Sequence, residues 1–176
     1  VIEIIDKLKV NIITGPQLYL NNNKKKNNLG KFFEKKINKK ISKVNWAATN
    51  NVIIKKSIIL KENIYFDKNL NKFGMGEDQL FFSKLNKRGH NIIWSNNIKV
   101  YEKMHLHRTT SKWIRDRSYR LGVLGNYIDR DLNGQILGYI INYIKFIYYL
   151  FCSILSLFNI VNKNYYYQFI NLTFRA

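Results

Sequence analysis

Between Phe73 and Phe82 the chain reads Phe-Gly-Met-Gly-Glu-Asp-Gln-Leu-Phe-Phe. Two glycines, two adjacent acids and an apolar run leave few local structures open. Glycine at 74 and 76 permits positive φ, or a close approach of backbone to ligand. The apolar residues that follow support an amphipathic helix opening at Asp78. That helix sets free N–H groups and the positive end of its dipole beside the acids. A carboxylate kept ionised there can take a proton from a hydroxyl. The same acids could instead cap the helix. Only 11 residues are acidic against 30 basic, so an acid pair in this chain is not background composition.

The flanking segments extend the pattern. Upstream lie Ala48-Thr49-Asn50-Asn51-Val52-Ile53-Ile54-Lys55-Lys56 and Tyr65-Phe66-Asp67. Downstream come Lys87-Arg88-Gly89-His90-Asn91-Ile92-Ile93-Trp94, then Val100-Tyr101-Glu102, then a Trp/Arg-rich stretch from Arg108 to Gly122. In this order the segments resemble the acceptor-side half of a family 2 glycosyltransferase of the GT-A fold. The family runs through an Asn-containing strand, a basic pair, Phe-Asp and Gly-Gly-Glu-Asp. A helix ending in Gly, a strand, Val-x-Glu and an Arg with a Trp/Arg-rich helix follow. The likeness covers roughly residues 10 to 125 and rests on the order of the elements, none being specific alone. Met75 departs from the pattern, although Gly76 still directly precedes Glu77.

The resemblance implies an α/β chain. Residues 1–130 would be the C-terminal portion of a GT-A (Rossmann-like) domain, and residues 131–176 a membrane-associated helical tail. It implies transfer of a sugar from a nucleotide-diphospho-sugar to a hydroxyl on a glycan or lipid-linked acceptor, with inversion. Asp78 matches the general base and Glu77 its acidic neighbour, which orients the acceptor or the loop, with Gly76 before them. Asn51 matches the Asn near the donor sugar, or simply forms a turn. Arg108, Arg117 and Arg120 match the basic residues that meet a diphosphate or a lipid. A divalent metal, Mg or Mn, is implied for the complete enzyme. Its Asp-x-Asp motif has no counterpart in place, because Asp129-Arg130-Asp131 follows the Arg-rich helix. With a start at Val1 and an end at Arg175-Ala176, the chain is expected to be a piece of a longer protein. His105 and His107 stand where some GT-A enzymes place a metal ligand, but ordinary surface or core histidines fit them as well. Glu102 is expected to pair with a cation, its strand-end position leaving a site role open.

Along the rest of the chain, apolar spacing predicts a short helix over 1–9 and a strand over 10–14 turned by Gly15-Pro16. In the resembling family a Gly-Pro follows such a strand. Residues 20–31 form a polar Asn/Lys loop, and Phe32, Phe33, Ile37 and Ile41 share one helical face. A strand is expected over 45–51, a helical turn or two over 55–60, and a helix over 78–88 stopped by Gly89. Leu80, Phe81, Phe82 and Leu85 would be its buried side. Short strands follow over 91–94 and 99–102, then a helix over 111–121 with Ser111 as N-cap. Trp113, Arg117 and Arg120 lie on one broad face of that helix, suited to a membrane interface or a diphosphate-facing lid. A solvated basic face with Trp113 in the core is the plainer reading.

Residues 136–161 are strongly apolar, Lys145 being their one charge. One long helix or a tight pair is expected, with an exposed apolar surface. Taken from Ile140 the run reaches the length of a membrane span, with Lys145 snorkelling or facing a partner. Tyr165-Tyr166-Tyr167 would supply an aromatic belt, and the preceding arginines a cytoplasmic side. The lone Cys152 admits no internal disulfide and points to a reducing compartment.

The 176 residues are 46% hydrophobic, which excludes a disordered chain, and their net charge is +19. Such a charge favours anionic partners, although Lys, Asn and Ile also follow from AT-rich codons. Three functions compete. The first is a membrane-associated glycosyltransferase at the cytoplasmic face of the cell membrane. The second is a nucleic-acid binder, disfavoured by dispersed lysines and an apolar tail. The third is a non-catalytic membrane-surface module, which has no need of Glu77-Asp78.

Overall fold

The structure, a computed structural model, describes residue 5, residues 10–20, residue 37, residues 40–103 and residues 105–157. It is a mixed α/β arrangement in two units. One comprises the described residues of Val1–Asn71 and Glu77–Met104, the other those of Lys72–Gly76 and His105–Ala176.

The first unit is built on a four-stranded mixed sheet of order β3-β5-β1-β4. Its strands are β1 (Ile12–Thr14), β3 (Ile41–Val44), β4 (Val52–Ile54) and β5 (Ile92–Ser95). β1 and β5 run parallel, with Ile12 opposite Ile92 and Thr14 opposite Trp94, while β3 and β4 flank them antiparallel. Both central strands are buried along their whole length. Their near-continuous apolar sequences suit a parallel pair covered on both faces. On one face Ile12, Val44, Ile92 and Trp94 join Ile58, Phe81, Phe82 and Leu85 in the main core. On the other, Ile13 and Ile93 pack with Ile98. A separate parallel pair joins β2 (Gln17–Leu20) to β6 (Val100–Lys103).

Two helices serve this unit. Helix α1 (Lys56–Glu62) stops at Asn63, whose φ of 49° is left-handed. Helix α2 (Glu77–Lys87) buries Leu80, Phe81, Phe82 and Leu85 as the spacing predicts, and ends before Gly89 at φ 91°. Phe81 stacks on Phe66 at 4.6 Å and meets Phe82 edge-on. Behind them Glu62 ties the two helix ends. His90 Nε2 lies 2.8 Å from one carboxylate oxygen and Arg88 Nη1 3.2 Å from the other. Those two hydrogen bonds, His90 first, hold the Glu62 carboxyl below its ordinary pKa.

Some expectations fail in this unit. Residues 45–51 do not form a strand: a 3₁₀ turn occupies Thr49–Asn51 and the strand starts at Val52. Ile41 does not extend a helical face but opens β3, where it pairs with Ser95. Leu20, expected in a loop over 20–31, ends β2, and Ile37, expected on a helical face with Phe32, Phe33 and Ile41, is not helical. The rest of that loop, the rest of that helix before Lys40 and the helix expected over 1–9 lie outside the described residues, residue 5 apart.

The second unit is a helical hairpin of α3 (Ser111–Asn133) and α4 (Gln135–Leu157). The cap of α3 is Thr110, whose hydroxyl accepts the Trp113 N–H, and not Ser111. The helix also runs past Leu121, through Gly122 and Gly125. Gly134 alone makes the turn into α4, at φ 82°. Gly138 lets the helices touch: a Cβ there would sit 2.6 Å from Arg130 Cα. Lower down, Lys145 Nζ reaches both carboxylate oxygens of Asp129, at 2.7 and 2.9 Å, so this charge does face a partner. Among the described residues no helix is long and apolar enough to cross a membrane, which leaves the expected span without support. Residues 158–161, Tyr165-Tyr166-Tyr167 and the Cys152 side chain lie outside what is described.

Candidate active site

The acid pair occupies the first turn of α2, Glu77 opening the helix and Asp78 following it. Asp78 is therefore one position inside the helix and does not cap it. Its Oδ1 accepts the N–H of Gln79 at 2.7 Å, and its Oδ2 the N–H of Thr49 at 3.3 Å. The second bond brings the Thr49–Asn51 turn to the acid from 29 residues away. Asp78 is half-buried, and burial pushes its carboxyl above the ordinary aspartate pKa. The two N–H groups hold it part of the way down, and the charge of Glu77 adds to the rise. Glu77 leaves its Oε2 buried with no hydrogen-bond partner among the described residues. The result is one carboxylate gripped by backbone and another with an open acceptor.

Asn51 lies beside this arrangement as a brace. Its side chain is buried, and Nδ2 donates to the carbonyls of Pro16 at 3.1 Å and Ile98 at 2.9 Å. Its own carbonyl accepts the Thr14 hydroxyl at 2.6 Å. Both amide hydrogens are committed, so Asn51 acts on its surroundings by fixing the turn that carries Thr49. Gly15 belongs to the same knot: a Cβ there would fall 1.9 Å from the Ile98 oxygen. The backbone N–H of Thr49 was invisible to motif reading, because any residue type supplies one. The polar Thr49-Asn50-Asn51 triplet was the only signal of a turn.

Gly76 and the arginines belong to the second unit. Gly76 takes φ 94°, and a Cβ there would press to 3.2 Å against Leu124 of α3. Positive φ and close packing both demand glycine. Arg120 donates to the carbonyls of Phe73 and Asp116, each at 3.4 Å, so α3 also holds the backbone of the glycine segment. Arg117 lies over the Trp113 ring, 5.2 Å from its centre, within cation–π range. Arg108 sits in a 3₁₀ turn (Leu106–Thr109), its N–H donating to the carbonyl of His105. His105 and His107 stack on one another at 5.8 Å. The structure thus gathers Asp78, Glu77 and Asn51 in the first unit, and Gly76, Arg108, Arg117 and Arg120 in the second.

Glu102 accepts a hydrogen bond from Gln17 Nε2 across the β2–β6 pair. Among the described residues no group of His, Cys, Asp or Glu could hold a metal ion. Comparison of the chain with protein-family models, curated proteins and solved structures finds no match.

Proposed function

We propose that this chain is the acceptor-side part of a GT-A-type glycosyltransferase. It would move a sugar from a nucleotide-diphospho-sugar to a hydroxyl of a glycan or lipid-linked acceptor, at the cytoplasmic face of the cell membrane. The observation that carries the reading is Asp78: a half-buried carboxylate with a raised pKa, fixed from two directions by backbone N–H groups. Burial makes it a better proton acceptor than an exposed aspartate, and the two bonds fix its direction. It takes the hydroxyl proton as the acceptor oxygen attacks the anomeric carbon, and the nucleoside diphosphate leaves. Glu77, with one oxygen unengaged, orients the acceptor by a hydrogen bond. Arg108, Arg117 and Arg120, in the second unit, match the basic residues to which the resemblance assigns a diphosphate or a lipid. The Mg or Mn ion that the resemblance implies finds no ligand cluster among the described residues, so no step is routed through it. The competing reading, a basic module without chemistry, leaves the buried oxygen of Glu77 and the grip on Asp78 without a purpose.

The test is Asp78→Asn in the complete protein. Asparagine keeps the size and can accept one of the two N–H bonds, but it cannot take a proton. Turnover should fall on the order of a hundredfold or more. Donor affinity should stay near that of the parent. Near-normal turnover removes Asp78 from the mechanism.

A further inference from the structure

We infer that helix α4 lies in the plane of an anionic membrane surface, its outer face inserted at the level between headgroups and acyl chains. Ile136, Ile140, Tyr143, Ile147, Phe151 and Ile154 follow one another at intervals of three or four residues. Each is between 45% and 80% exposed. At about 1.5 Å per residue they form an apolar stripe of about 27 Å along one side of the helix. Water-soluble surfaces rarely carry so continuous a patch. At the head of the stripe a shallow apolar depression of about 440 Å³ opens among Gly134, Ile136, Leu137 and Ile140.

Charge selects the occupant. Helix α4 contains no acidic residue, and its one cation, Lys145, is engaged by Asp129 of α3. Of the other charges at the hairpin turn, Asp131 is exposed, and the Arg130 guanidinium lies 5.1 Å from the centre of the Tyr139 ring while donating to its hydroxyl. A second copy on this face would bring two chains of net charge +19 together, which an anionic lipid surface instead neutralises. Tyrosine on the stripe suits a boundary where a ring meets hydrocarbon and a hydroxyl meets water. The orientation follows from the hairpin: α4 packs on α3 through Gly138 and the Lys145–Asp129 pair, and its apolar stripe is exposed, the pattern of a helix that lies flat.

The inference rests on the membrane side of the proposed function and not on its chemistry. The full chain is sedimented with vesicles of phosphatidylglycerol and phosphatidylcholine, and with phosphatidylcholine alone. Binding should be about tenfold stronger to the anionic vesicles and should weaken as salt rises. The double variant Tyr143→Glu with Phe151→Glu alters only exposed positions. It should keep the parent circular dichroism and lose most of the binding. Tryptophan placed at 140, 147 or 154 should be quenched alike by shallow brominated lipids, read as the difference from the parent. Equal vesicle binding by parent and double variant overturns the proposal. So does a parent dimer that the double variant dissociates without any vesicle binding, since a second copy then covers the stripe. Deep quenching at 147 with shallow quenching at the ends indicates a spanning helix and also overturns it. The same binding measured on Asp78→Asn separates the two claims: lost transfer with intact binding touches the chemistry alone.

Discussion

Asn51 and Asp78 are bound into the fold in opposite senses. The Asn51 amide satisfies two buried carbonyls, so Asn51→Ala would leave Pro16 and Ile98 without that donor. The Pro16 carbonyl keeps the N–H of Val100, so the cost is that of the Ile98 carbonyl, about 1–3 kcal/mol, read from the urea midpoint. Asn51→Asp should be worse, because it turns a carboxylate toward two carbonyl oxygens. Asp78 instead strains its surroundings. Its folded pKa is raised, so the folded state holds the proton more tightly than the unfolded state between the ordinary and the raised value. Its contribution therefore makes stability fall as pH rises through that window. If the proposed role holds, Asp78→Asn should lower turnover while leaving the melting temperature near that of the parent. The acid pair was legible because its glycines and its isolation in a basic chain are local features. The brace was not legible, because the carbonyls that Asn51 reaches lie 35 and 47 positions away.

Among the elements, α2 was readable from end to end: acids in the first turn, an apolar face and a glycine stop all agree. Helix α3 was not, because Gly122 and Gly125 weaken a local helical signal that packing in the α3–α4 hairpin overrides. Strand β3 was hidden because only Val44 of its four residues is buried, as expected at a sheet edge beside a lysine-rich segment. The hairpin offers a test in which two principles oppose each other. By propensity Gly138→Ala should stabilise α4 by about 1 kcal/mol. By packing the new methyl would meet Arg130 backbone at 2.6 Å, and overpacking costs about 1–3 kcal/mol. Backbone yields less readily than a side chain, so packing should win, and thermal unfolding should start earlier in the variant. The Glu62 tie gives an acid-side prediction. Its folded pKa is lowered, so its contribution is fully present above about 4.5 and is lost as pH falls through the lowered value. The stability gap between the parent and Glu62→Gln should therefore close on acidification; a gap independent of pH would leave the tie without an electrostatic part.

For the molecule as a whole, the central pairing of β1 with β5 sets the order of events during synthesis. Ile12 must wait for Ile92, and Gln17 for Val100, while the intervening stretch is made. At about 5–20 residues per second that delay is on the order of several seconds. Until then β1 has only its antiparallel partner β4, and its other, apolar edge stays unpaired. A chain cut after residue 90 should therefore aggregate on release, whereas one extended to residue 103 should stay dispersed, as light scattering would show. The parallel pair at the heart of the sheet thus turns a static register into a timetable, in which one edge of β1 stays open for as long as the stretch up to Ile92 takes to emerge.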